Sequence, residues 1–334
     1  MADNSTHYKP YKSCKEVSDL CPVELTTLGY YPNVGINIFF AIGFGIALIA
    51  VLTTGIWKKT WSYMGFIAAG SVLELAGYVG RVLLHDNPWN KNAFETQICA
   101  IILAPTLICI SIYLTLKHVA ICLNPAMSRI RPNLYPFIFV PADVSCLLVQ
   151  AIGGALAASA GDTNQKLLDG GNRAIIAGIC LQVVVLAGFG IASVDYFVRV
   201  RKWINSDEVT PEAKALWFDK KFRWFAYAVA AAFTCILIRC IYRIAEMAGG
   251  WGSTIMQDEP SFIVLDGFMV LIAVILLSFF APGFLFPHMA EQMRAKKKSK
   301  KSKGEKSSST TTPGDESQDI EQGNATEAER ELKA

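Results

Sequence analysis

The chain has 334 residues, 52% of them hydrophobic and 18% charged, with a formal net charge of +3 and a mean hydropathy of +0.35. That balance excludes an ordinary water-soluble globular protein. The small net charge hides a strong asymmetry of position, because the charges gather between apolar stretches and in the C-terminal tail.

A bilayer core about 30 Å thick takes roughly 20 predominantly apolar residues per helix. Stretches of that size fall near 34–56, 62–84, 97–117, 134–158, 174–197, 223–246 and 262–286. The expected fold class is therefore all-α, a polytopic membrane protein with a seven-transmembrane-helix bundle, its N-terminus outside and its C-terminus cytosolic. Three regions follow: an extracellular N-terminal segment over 1–33, a membrane domain over 34–287 and a disordered cytosolic tail over 288–334. No convincing internal repeat is present, although inverted repeats commonly mark rocking transporters.

In chain order, residues 1–33 are polar and carry Pro10, Pro22 and Pro32 instead of the apolar core of a signal peptide, so the first span is expected to direct insertion. Orientation follows from lysine and arginine, which short cytosolic loops retain. The loop after span one carries Lys58 and Lys59, the loop after span three Arg129 and Arg131, and the loop after span five Arg199, Arg201, Lys202, Lys214, Lys220, Lys221 and Arg223. The alternate loops carry only Lys91, Lys166 and Arg173. The N-terminus is then outside, in an oxidising space that suits a Cys14–Cys21 disulfide; Cys99 is an alternative partner between which spacing does not choose. The sequon Asn4-Ser5-Thr6 makes Asn4 a candidate glycosylation site, whereas Asn324-Ala325-Thr326 falls in the cytosolic tail. In that tail the basic run from Lys296 to Lys303 reads as a positive-inside signal, or as a surface for anionic inner-leaflet lipids that phosphorylation of nearby hydroxyls would weaken.

A charged side chain at the bilayer centre costs about 2.5–3.5 kcal/mol, so each needs a partner or a wet cavity. Span two carries Glu74, Tyr78 and Arg81 at offsets of four and seven, which is one helical face. Span six carries Arg239, Tyr242, Arg243 and Glu246, again on one face. Span four adds Asp143 and Gln150, and span seven adds Asp266 near its start. With the N-terminus outside, all but Asp143 lie from mid-membrane outward. Glu74, Glu246 and Asp266 then balance Arg81, Arg239 and Arg243 in a polar vestibule opening outward, paired across helices two, six and seven. These ten residues are the candidate substrate-binding set; helix-to-helix glue is the structural alternative. Pro105 and Pro282 are expected to bend spans three and seven, and Gly153-Gly154 to mark a close helix approach.

No phosphate-cradling G-x-x-x-x-G-K-[ST] loop occurs. The four histidines, His7, His85, His118 and His288, fall at opposite membrane edges and cannot share a metal. No enzymatic activity, cofactor, metal site or nucleic-acid partner is expected. Seven spans also match receptor architecture, but span three ends Tyr113-Leu114-Thr115 and span seven ends Pro282-Gly283-Phe284, without receptor signatures. A lipid-sensing receptor or regulator is the alternative reading.

Over about residues 14–287 the sequence resembles the fungal lipid-translocating exporter family, whose members include the aminocholesterol-resistance protein and the sphingoid long-chain-base exporter of yeasts. The matching residues are Cys14 with Cys21-Pro22, Glu74-Leu75-Ala76-Gly77-Tyr78-Val79-Gly80-Arg81, His85-Asp86-Asn87-Pro88, and Ala104-Pro105 with Ser111-Ile112-Tyr113. Asp143 with Gln150 and Gly153-Gly154, the run Arg239 to Glu246, and Glu259 with Asp266 complete the set. The resemblance implies a plasma-membrane or endomembrane protein that moves amphiphilic lipids between leaflets or exports them, and that confers resistance to toxic ones. It supplies no binding residues, so the site set rests on the helical faces alone.

Overall fold

A computed structural model of the chain describes residues 14–19, 21–160, 165–206, 209, 211–250 and 252–280. The expectations for Asn4, for Pro282 and for the tail with Lys296 to Lys303 lie outside the described residues.

Asn33 starts the first helix by accepting from the backbone of Ile36 at 3.3 Å, satisfying one of the amides that a helix start leaves open. This helix, α1 (Val34–Lys58), ends at Lys59, whose φ of 58° is left-handed. Trp61–Asp86 forms α2 and Lys91–Leu123 forms α3, which Asn90 caps. Then follow α4 (Leu134–Ala160), α5 (Gln165–Ile204), the short α6 (Pro211–Phe218) and α7 (Lys220–Ala248), capped by Asp219. The last span opens as α8 (Glu259–Phe262), widens through a π turn (Ile263–Phe268) and continues as α9 (Met269–Phe279).

Among the described residues, seven helices are long and apolar enough to cross a membrane, and the only strand-like pairing is a bridge between Ser18 and Cys21. The helices α3, with 33 residues, and α5, with 40, outrun the expected spans 97–117 and 174–197. Hydropathy locates the apolar window, whereas the i to i−4 hydrogen-bond ladder continues through polar ends that leave the bilayer.

Packing closes a ring. Each span touches the next in chain order, with α5 against α7, α7 against α9, and α9 back against α1, while α3 also meets α7. One face of α1, with Ile38, Ile42, Ile46 and Ile49 about one turn apart, is exposed and suits lipid. The N-terminal segment docks on the α2–α3 turn: Trp89 Nε1 donates to the Cys21 carbonyl at 3.1 Å and Asn87 Nδ2 to that of Lys15 at 2.8 Å. A disulfide joins Cys14 to Cys21, and Cys99 is a free thiol.

The helices α4 and α5 approach closely at Gly153 and Gly171. A methyl on Gly153 would meet the Gly171 carbonyl oxygen and the Ile175 amide nitrogen, both at 2.8 Å, whereas Gly154 has open space. These obstacles are backbone atoms, so the helices themselves must shift. Gly153→Ala is expected to destabilise the purified protein by about 1–3 kcal/mol in detergent unfolding, and Gly154→Ala to leave it unchanged.

Candidate functional site

Helical spacing delivers the candidate residues to the ring's interior. Glu74, Tyr78 and Arg81 are buried on α2, and Arg239, Tyr242, Arg243 and Glu246 are buried on α7. The π turn supplies the third wall, turning Asp266 and Gly267 inward. Gly267 is needed there, because a Cβ would lie 2.6 Å from the Phe40 ring and 2.9 Å from the Tyr78 hydroxyl.

Arg239 is held from two helices. Its Nε donates to Asp266 Oδ1 at 2.8 Å, and its Nη2 donates to the carbonyl of Ile101 on α3. That carbonyl is available because Pro105, four residues on, has no N–H to offer it. Pro105 thus makes an acceptor for a neighbouring helix. One turn further along α7, Arg243 donates through Nε to the same Asp266 oxygen at 3.1 Å and through Nη1 to Glu246 at 2.5 Å. The i, i+4 spacing of the two arginines lets one carboxylate oxygen serve both.

Arg81 belongs to a separate strap at the end of the bundle that holds the N-terminal segment. Its Nε donates to Asn37 on α1 at 3.1 Å, and its Nη2 donates to the Tyr30 hydroxyl at 2.9 Å and to Glu259 at 3.4 Å. Glu259 also accepts from the Asn33 backbone at 2.8 Å, tying α8 to the start of α1. The Phe262 ring lies 4.2 Å from the Arg81 guanidinium and 5.5 Å from that of Arg243, between the two groups of charges. Burial pushes the Tyr30 hydroxyl above the usual tyrosine range, with Arg81 pulling the other way, so the phenol stays neutral.

The expected pairing of Glu74, Glu246 and Asp266 with Arg81, Arg239 and Arg243 is corrected by this geometry. Arg81 reaches Glu259, Glu246 pairs within its own helix, and Asp266 takes two arginines. Glu74 is left over. It is fully buried and neither carboxylate oxygen has a hydrogen-bond partner. The Tyr78 and Tyr242 hydroxyls and Asp266 Oδ2 are likewise unpartnered.

Asp143 and Gln150 join other networks. Tyr113 donates to Asp143 at 2.7 Å. Gln150 donates to Gln182 at 3.1 Å, and Gln182 donates to Thr106 at 3.0 Å. Among the described residues the expected vestibule takes the form of two narrow clefts. Arg81, Gln97, Arg243, Glu246 and Phe262 line one cleft, and Gln150, Gln182, Arg239 and Cys240 line a second, which shares Arg243 with the first. Each has room for about one water and not for a lipid head group. Among the described residues no three His, Cys, Asp or Glu side chains gather to hold a metal.

The helical faces of α2 and α7 omit Glu259, Asn37, Tyr30 and the Ile101 carbonyl, each of which holds a charge in place. Signals for two of them were present: Asn37 is a polar residue in an apolar run, and Ile101 precedes Pro105 by four.

Fold and site together define an integral membrane protein of seven spans with a charge cluster enclosed by its helices. Residues 67–289 match the family described as RTA1 like protein, and the chain belongs to that family. It is 31% identical over 283 residues to a Saccharomyces cerevisiae protein named sphingoid long-chain base transporter RSB1, covering 77% of this chain and 74% of that one. It is 28% identical over 229 residues to protoporphyrin uptake protein 1 of the same species, covering 66% of this chain and 70% of the relative. Protein RTM1 of S. cerevisiae is 26% identical over 240 residues, covering 70% and 72%. No solved structure matches the chain.

Removing one partner of a buried ion pair strands the other charge. Asp266→Asn leaves two arginines without their shared carboxylate and is expected to destabilise the detergent-purified protein by about 3–5 kcal/mol. Glu259→Gln takes the acid from buried Arg81 but keeps an acceptor beside it, with Tyr30 and Asn37 still bonded, and should lose about 1–3 kcal/mol in the same unfolding measurement.

Proposed function

We propose that this protein exports amphiphilic lipids of the sphingoid long-chain-base type, or moves them between leaflets of the plasma membrane. Its N-terminal segment lies outside and its C-terminal tail in the cytosol. The orientation is supported by the lysine and arginine bias of alternate loops, and the substrate class by the printed name of the relative at 31% identity.

The observation that carries the reading is Glu74, a buried carboxylate with both oxygens unpartnered beside arginines that are already paired with Asp266 and Glu246. A sphingoid base presents a cationic ammonium and hydroxyls on a single chain. Its ammonium has three donors for the two open acceptors of Glu74, and its hydroxyls suit Tyr78, Tyr242 and Asp266. An arginine need not be displaced from Glu74, since none is hydrogen-bonded to it. Arg81, Asp143, Gln150, Arg239, Arg243 and Glu246 act in this reading by holding the helices around the head group, while the chain stays in lipid. The helices part to admit it, because the closed ring has no room. With no nucleotide-binding loop in the sequence, net movement draws on a gradient or a partner.

Loss of a charge-assisted hydrogen bond lowers affinity by about 10- to 100-fold. Glu74→Gln is therefore expected to abolish the resistance that the wild-type chain gives yeast cells against added phytosphingosine, with surface expression unchanged. Resistance equal to wild type at equal expression would remove Glu74 from the site. Proteoliposomes carrying labelled sphingoid base, sterol and porphyrin test the substrate class directly, and the sphingoid base is expected to move fastest.

A further inference from the structure

The charges that face Glu74 balance without it. Arg239 and Arg243 are matched by Asp266 and Glu246 through hydrogen-bonded ion pairs. An ionised Glu74 would be a third acid facing two cations. No donor reaches either of its oxygens, and it is fully buried.

Its surroundings offer no ready relief. From α7, Arg239 and Arg243 face it, but both are committed to Asp266; Asp266 itself faces it from the π turn as a like charge. Its own helix contributes the Tyr78 hydroxyl. From α1 come the rings of Phe40 and Phe44, which pack on Tyr78 with centroids at 4.8 and 5.6 Å. From α3, Ile101, Ala104 and Ile108 press against the glycines on either side, Gly70 and Gly77. A carboxylate placed so is stable when something else supplies its missing positive charge.

We propose that Glu74 is a single-cation exchange site: in the closed ring it holds a proton, and a cationic amphiphile replaces that proton with its ammonium. The exchange balances. The neutral Glu74 carboxylic acid and an alkylammonium ion become an ion pair of carboxylate with ammonium, plus one released proton, which leaves for water. The O–H bond of the acid breaks heterolytically, nothing is oxidised, and the charge of Glu74 with Arg239, Arg243, Asp266 and Glu246 is zero before and after. The occupant's charge is thereby specified: a monocation satisfies the site, whereas a neutral lipid leaves the proton where it was. Proton counter-movement then supplies the gradient on which transport draws. This inference rests on the sphingoid-base reading for its ligand but not for the resting proton.

The full chain in lipid nanodiscs, lightly buffered at about pH 6, tests both parts; a primary amine with an ordinary pKa of about 10 arrives charged at that pH. Phytosphingosine is expected to release about one proton per molecule bound, and a long-chain alcohol of the same length none. The carbonyl stretch of a protonated carboxyl, read by infrared difference spectroscopy, is expected in the wild-type chain, lost when the amine binds and missing from Glu74→Gln. Amine binding without proton release overturns the exchange while leaving the lipid-transport reading intact. Failure of the wild type to bind amine removes the sphingoid-base ligand, and with it the exchange. The infrared band still decides the resting proton: a wild-type spectrum lacking the band overturns it without reference to any variant.

Discussion

A guanidinium does not give up its proton, so an arginine inside a membrane domain must be met by acceptors or left outside. Arg239 is met from two directions, by Asp266 on the π turn and by the Ile101 carbonyl on α3. Those two hydrogen bonds join α3, α7 and the last span at the core of the ring. The remaining polar arrangement follows from them. Because Asp266 is drawn to Arg239, Arg243 shares it and completes its own pairing with Glu246. Arg81 pairs with Glu259 at the edge, and Glu74 remains without a counter-charge.

The seven spans and the two buried faces were legible because they depend on local rules: apolar length for the spans, and offsets of three, four and seven for Glu74, Tyr78, Arg81 and the α7 residues. The partners were not legible, because choosing among acids depends on where three helices place them. Glu259 sits at the mouth of the last span, where a charge needs no explanation, and was passed over for Glu74, where a charge does. Pro105 by itself predicts a bend and an unpaired carbonyl, but that the carbonyl serves Arg239 shows only in the assembled ring. The helix ends of α3 and α5 were missed for a simpler reason: hydropathy marks where lipid begins, and hydrogen bonding continues beyond it.

The closed ring also separates two kinds of polar contact. Tyr113 with Asp143, and Gln150 with Gln182 and Thr106, bond across α3, α4 and α5 as joints between helices, although Asp143 Oδ1 and Gln150 Oε1 take no partner. Around Glu74 the groups are individually buried and collectively incomplete. Glu74 lies among α2, α7 and the π turn, whose wider coil departs from regular helix.

The pairing of Arg239 with Asp266 also bears on how the chain is made. The two residues lie 27 positions apart, so during synthesis the helix bearing the arginine is finished before its carboxylate exists. An arginine entering lipid alone costs about 2.5–3.5 kcal/mol, and the waiting carbonyl of Ile101 offsets only part of that. The sixth span is therefore a poor solitary entrant to the bilayer. It is best delivered with the seventh as one hairpin, after α3 is in place to receive it, so the order of assembly is written into a proline and the arginine that answers it.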